Sequence, residues 1–408
     1  MASPRRYASQ NVDISPLSRG LHFDFADREA PNRFLKGAME ERLCTWDPDN
    51  HEKSGIPDAA MFKLYEKWSD GAIGNILTGS IVFEHDQMTQ RGDPMIPIEA
   101  PFSGDRFDAF ATLARIGKSH GSLMIGQVNH PGRQIDESTQ PHPISASDVP
   151  QAGFAGQKFA IPRPASKHDI SRIMEGFAHS AAYLEKAGFD GIEIHAAHGY
   201  LLSQFLSPAS NLRTDEYGGD LTNRARLIAE IAQATRHRTS QSFVLGIKLN
   251  SVDFQGDFDS GEAKQLCALI EQSSFDFIEL SGGGLEHFEH KRESTRKREA
   301  FFLDFAESIA PLLDRTRIYT TGGFKTAGAM SILARNVEAA IKQAPSEDNY
   351  GITNIVAGTQ IRRISQGLEP LDMSREYDEQ SFMKEMNAWL GRLANDTRLY
   401  GFFHITPS

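Results

Sequence analysis

His195, His198 and Tyr200 fall within one stretch of six residues. Two imidazoles and a phenol presented from a single loop can polarise a carbonyl oxygen and return a proton to carbon, which is the equipment for enolate chemistry. Spacing alone leaves two other readings open. A zinc site would use both histidines, but the sequence offers no obvious third ligand, and structural histidines are commoner than either functional kind. Further on, Gly322-Gly323 and Gly358-Thr359 each follow an apolar run. Their backbone N–H groups could cradle a phosphate, although tight strand-to-helix connections use glycine in the same way.

Such residues need elements to hold them. Short runs rich in β-branched and other apolar residues recur at 33–39, 75–83, 122–128, 191–195, 243–249, 276–280, 317–321 and 353–357. Stretches with helical periodicity lie between or after them, at 59–70, 105–120, 167–187, 221–237, 261–273, 301–313 and 326–343. Alternation of this kind predicts a parallel sheet, and eight units predict closure into a single (β/α)8 barrel of the TIM type rather than an open sheet. The polar or glycine-containing segments 127–133, 195–200, 281–284, 321–324 and 357–360 would then converge on one face, where barrel active sites lie. We read 1–408 as one domain, with 1–30 an N-terminal extension and 136–164 a loop insertion after strand three, rich in Pro, Ser and Gly.

Composition narrows the function classes. With 39% hydrophobic and 24% charged residues the chain can bury a large core, and disorder is not favoured. A formal net charge of -11 argues against a nucleic-acid partner, and the one dense basic run, 291–298, is interrupted by Glu293. Two cysteines, Cys44 and Cys267, are too few for a disulfide framework, an iron–sulfur cluster or an all-cysteine zinc site. No apolar window approaches the length of a membrane span, and no apolar region follows Arg5 and Arg6 as in a signal peptide. The expectation is a cytoplasmic protein without a membrane partner.

The segment GFDGIEIHAAHGYLLSQFLSPASNLRTDEYGGDLTNRARL at 188–227 closely resembles the signature of the old yellow enzyme family of FMN-dependent ene reductases. GQVNHPGR at 126–133 resembles that family's strand-three motif and NRFLKGAMEERL at 32–43 its first strand. TTGGF at 320–324 and NIVAGTQ at 354–360 stand in the places of its phosphate-binding strands seven and eight. The resemblance implies non-covalent FMN, with NADH or NADPH as reductant. By the same resemblance Gln127 would hydrogen-bond the pyrimidine edge of the flavin, and the main chain at Ala38 and Met39 would pack against its ring. Gly79 would line the pocket, while Gly322, Gly323, Gly358 and Thr359 would hold the phosphate. His195 and His198 would bind the substrate carbonyl, and Tyr200 would be the proton donor. The implied reaction carries hydride from NAD(P)H through flavin N5 to the β-carbon of an α,β-unsaturated carbonyl compound, with Tyr200 protonating the α-carbon.

Three positions depart from the family pattern. Glu40 stands where Thr or Cys is usual beside the flavin, Lys248 where Arg is usual on strand five, and Thr359 where Arg is usual at the phosphate. Glu40 either faces the flavin edge, where it would tune the redox potential, or turns into a salt bridge with Arg42 or Arg133. Glu193 and Arg224 read as structural, Glu193 within a barrel-interior ion pair. Rival readings on the same barrel are a pathway-specific flavin oxidoreductase, an NAD(P)H oxidase, and a flavin-binding protein with little catalysis. The resemblance is compatible with a homo-oligomer, a dimer or a tetramer.

Overall fold

The computed structural model describes residues 15–153, 157–250, 260–282, 306, 309–321 and 338–341. Eight parallel strands close into a barrel: β1 (Leu35–Lys36), β2 (Asn75–Leu77), β3 (Leu123–Val128), β4 (Gly191–Ala196), β5 (Val244–Asn250), β6 (Phe277–Ser281), β7 (Arg317–Thr321) and β8 (Glu338–Ile341). Each pairs with its neighbours in sequence order, and β8 returns to β1 through Ala340 opposite Leu35. Strands β3 and β4 are buried at every position, as expected of parallel strands covered on both faces.

The eighth strand corrects the sequence reading. Glu338–Ile341 lies inside the stretch 326–343 that periodicity marked as helix, while the run 353–357 lies outside the described residues. A short apolar run such as Ala339-Ala340-Ile341 carries no period that separates strand from helix, so long-range pairing with β1 and β7 decides. The stretch 221–237 also divides, into the helices Leu221–Arg224 and Arg226–Arg238, with Ala225 between them. Ala59–Ser69, Asp105–Gly117, Lys167–Lys186 and Ser260–Gln272 fall where periodicity puts them, Leu201–Leu206 is a short helix that the sequence reading missed, and most of 301–313 lies outside the described residues. Asp58 caps Ala59–Ser69 by accepting from Ala60 and Met61, and Ser166 with Asp169 forms a reciprocal capping box at the start of Lys167–Lys186. Among the described residues no helix is long and apolar enough to cross a membrane.

Side chains alternate between two apolar layers. Leu35, Leu77, Ile125, Val244, Phe277 and Tyr319 fill the inside of the barrel, whereas Met124, Val128, Ile192, Ile194 and Ile247 point outward to the helices. A hairpin of Leu21–Phe23 and Arg28–Ala30 packs Phe23 on Phe277, ring centroids 5.8 Å apart, and so covers the end where the strands begin. Two buried carboxylates fasten it there. Asp276, just before β6, accepts from the Ala26 N–H at 2.8 Å, and Asp190, just before β4, pairs with Arg28 and with Lys118. The N-terminal end of the barrel is thereby closed, and the C-terminal end carries the loops with chemistry on them. There, within 136–164, Ile144–Ser145 pairs with Arg163–Pro164, and the Ser145 hydroxyl reaches Gln204 at 2.9 Å.

Candidate active site

The loop after β4 is held from several directions. His198 adopts a left-handed backbone (φ 59°), followed by Gly199 (φ 77°), a pair of turns that bulky residues rarely make. Its N–H donates to Asn250 Oδ1 at 3.2 Å, and its Nε2 lies 3.0 Å from Ser281 Oγ, so the ends of β5 and β6 fix the ring. His195 is buried at the end of β4 and its Nδ1 accepts the Ala197 N–H at 3.2 Å. In the neutral ring that puts the proton on Nε2. The His195 and His198 rings stand 5.2 Å apart, and Tyr200 packs edge-on to His195 at 4.9 Å. The sequence-predicted trio is thus one cluster at the C-terminal mouth.

Tyr200 touches a residue from another loop. Its hydroxyl donates to Glu40 Oε1 at 3.4 Å, while Glu40 Oε2 is held by Arg42 at 2.7 Å. Of the two orientations open to Glu40 from sequence, the salt bridge to Arg42 is the one observed. Arg133 instead donates to the Val149 carbonyl. Burial, the Glu40 carboxylate and Asp93 raise the Tyr200 phenol well above its ordinary value, with Arg42 opposing.

Below the mouth, the barrel interior holds charged groups in a connected chain. Lys248 and Glu279 pair at 2.7 Å, both essentially without solvent exposure. Thr321 also donates to Glu279, Gln127 Nε2 donates to Glu193 Oε1 at 2.7 Å, and Ser80 donates to Gln127 Oε1 at 3.2 Å. Burial works against Lys248, but Glu279 and Glu193 outweigh it and raise its affinity for the proton. Burial likewise works against the Glu279 anion, yet Lys248 pulls its carboxyl down to about 2, whereas burial and the Glu279 charge push Glu193 well up. The second oxygens of Glu193 and Glu279 have no hydrogen-bond partner among the described residues. The ion pair expected at Glu193 is found instead between Lys248 and Glu279, and Glu193 lies beside it, bonded to Gln127. Arg224 is structural as expected, donating to the Leu206 and Gly219 carbonyls and to Glu262.

The sequence reading missed Asn129. Ile81 and Asn129 continue the β2–β3 ladder by backbone bonds, so alternation turns Asn129 inward, above Gln127. It is fully buried and neither atom of its amide has a hydrogen-bond partner. A buried unpaired amide costs on the order of 1–3 kcal/mol and marks a place for a ligand's polar group. Its only sequence signal was position, two residues beyond Gln127.

Residues 23–341 match the family model described as the NADH:flavin oxidoreductase / NADH oxidase family. The chain belongs to this family. An NADH-dependent flavin oxidoreductase of Aspergillus parasiticus, nadA, is 42% identical over 95% of this chain and 94% of its own length. A second, iccE of Talaromyces variabilis, is 35% identical over 77% of each chain. Among solved structures, morphinone reductase shares the fold with a TM-score of 0.65 at 20% identity, covering 91% of this chain and 94% of its own. A 2-naphthoyl-CoA reductase structure reaches 0.71 at 17% identity, over 87% of this chain, which spans only about half (53%) of it.

Family membership makes FMN the cofactor and a nicotinamide nucleotide the reductant. The mouth of the barrel fits FMN chemically. Gln127 keeps a second amide hydrogen and a second lone pair beyond its bonds to Glu193 and Ser80, Lys248 brings a positive charge, and the Asn129 amide awaits a polar partner. The wall at Ala38–Glu40 is tied to the end of β2, because Glu41 accepts the Gly79 N–H at 2.9 Å and the Tyr65 hydroxyl at 2.6 Å. Gly322, Gly323, Gly358 and Thr359 lie outside the described residues.

Gly79 is where that wall closes against the strand. A Cβ here would overlap Glu41 Oε2 and the Met39 carbonyl oxygen, and the backbone atom cannot swing away. Gly79→Ala is expected to lower stability by about 1–3 kcal/mol, the usual cost of overpacking. The urea midpoint of the apoprotein measures this, and an unchanged midpoint would show that the wall yields freely.

Proposed function

We propose that this protein reduces the activated C=C bond of an α,β-unsaturated carbonyl compound at the expense of NADH. The observation that carries the reading is the cluster of His195, His198 and Tyr200 at the C-terminal mouth, with a half-buried phenol, raised above its ordinary value, packed edge-on to His195. FMN, when bound, accepts hydride from the nicotinamide and passes it to the β-carbon of the acceptor. His195 Nε2–H and His198 would donate to the acceptor oxygen, where negative charge builds as the β-carbon is reduced. One well-placed donor to such an oxyanion is worth about 3 kcal/mol. Tyr200 would then give its proton to the α-carbon, and water would restore the phenol. Gln127 and Lys248 would hold the pyrimidine edge of the cofactor, and the backbone at Ala38, Met39 and Gly79 its ring. The NADH-dependent relatives from Aspergillus parasiticus and Talaromyces variabilis support NADH as the reductant.

The test is a full cycle on purified protein under anaerobic conditions. NADH should bleach the yellow colour and 2-cyclohexen-1-one should restore it, with FMN recovered on extraction. Colour restored by oxygen but by no enone would assign an oxidase, and colour that NADH never bleaches would assign a binding protein.

A further inference from the structure

We propose that Glu40 is a positioning residue for the Tyr200 phenol, orienting its hydroxyl and keeping it protonated between turnovers. This rests on the reading of Tyr200 as proton donor. The sequence pattern would place Glu40 at the cofactor edge, but the structure gives both its oxygens other work: one accepts from Tyr200 and the other is clamped by Arg42. The clamp fixes where the carboxylate can be. Arg42 itself takes a left-handed backbone (φ 56°), with Gly92 (φ 88°) against it and the Gly92 carbonyl accepting the Cys44 N–H.

The distance explains how such a bond can help rather than hinder. O–H···O bonds centre near 2.7–2.8 Å, so a contact of 3.4 Å is weak. It is enough to choose one direction for a hydroxyl that otherwise rotates freely, while costing little to exchange for a substrate carbon. The edge-on contact with His195 fixes the ring, and Glu40 fixes the remaining torsion. The Glu40 side chain is 28% exposed, so this corner of the phenol lies near the water that must restore its proton.

Charge gives the second effect. The titratable and charged groups facing the phenol are Glu40, Arg42 and Asp93 from the segments after β1 and β2, and His195 from the end of β4. An anion beside the phenol makes tyrosinate unfavourable, so removing it lowers the pH at which Tyr200 loses its proton. Asp93, pushed up to about 7 by burial and the Glu40 charge, titrates well to the acid side of that event.

The experiment compares wild type with Glu40→Gln, which keeps the shape of the side chain and removes its charge. Holoenzyme labelled with [ζ-13C]tyrosine is titrated by NMR, with the Tyr200 resonance assigned from Tyr200→Phe. In parallel, the acceptor half-reaction with 2-cyclohexen-1-one is followed by anaerobic stopped flow across alkaline pH. In Glu40→Gln the Tyr200 titration and the alkaline fall in rate should move together to lower pH by about one unit, so that the rate on that limb drops by about tenfold relative to wild type. A Tyr200 titration that stays put, or a rate lowered equally at every pH, would overturn the proposal by leaving Glu40 a purely structural role. If Tyr200→Phe itself reoxidises with cyclohexenone as fast as wild type, the reading of Tyr200 as donor fails, and the NMR titration still reports separately whether Glu40 governs the phenol.

Discussion

Tyr200→Phe should slow the acceptor half-reaction by about 10²–10⁴-fold, the range for loss of a positioned general acid, while reduction by NADH changes little. On the proposed reading, only the acceptor step delivers a proton to carbon. The ring that packs edge-on against His195 is retained, and Glu40 keeps its clamp on Arg42, so the substitution removes a proton and little else. In barrier height the effect is about 3–5 kcal/mol. Anaerobic stopped flow separates the two half-reactions directly. An equal loss in both would make Tyr200 a structural residue, and no loss in either would move proton delivery to solvent.

The largest effect on stability is expected from Lys248→Met. Glu279 would then be a carboxylate without its cation at a site closed to water, with Glu193 beside it. Breaking a buried pair from one side costs about 3–5 kcal/mol, far more than the pair itself contributes over an apolar replacement. The pH dependence has a definite sign. Because the folded Glu279 carboxyl lies below its ordinary value, its contribution is present above the ordinary carboxylate range and is lost as pH falls towards about 2. The gap in urea midpoint between wild type and variant should therefore be wide at neutral pH and narrow on acidification. A variant as stable as wild type at neutral pH would mean that Glu279 takes up a proton without penalty.

How much of this was legible in the sequence depends on how far apart the partners lie. Strands β3 to β7 begin and end within a residue or two of their apolar runs, because a buried parallel strand leaves an unbroken run and stops where polar loop residues begin. The Ser166 cap and the stop after Lys186 are written within a few residues and were equally readable. β8 was not, since Glu338–Ile341 becomes a strand only by lying between β7 and β1. In the candidate site, His195, His198 and Tyr200 stood out because one loop carries all three. The Tyr200 contact with Glu40, 160 residues away, and the Gln127 bond to Glu193, 66 residues away, exist only once the barrel has closed. Asn129 escaped for a different reason: an amide declares itself by lacking a partner, and that is a property of the folded interior.

The hairpin at residues 21–30, wedged under Phe277 and tied down by Asp190 and Asp276, gives the barrel a floor among the described residues and leaves its C-terminal mouth as the side that carries the loops. A compound that enters at that mouth passes His195, His198 and Tyr200. On the proposed reading, reductant and acceptor would contend for that one mouth, each barring the other while it stays. An excess of either should slow turnover instead of hastening it, so the pace in a cell would follow the ratio of the two compounds more closely than the amount of each.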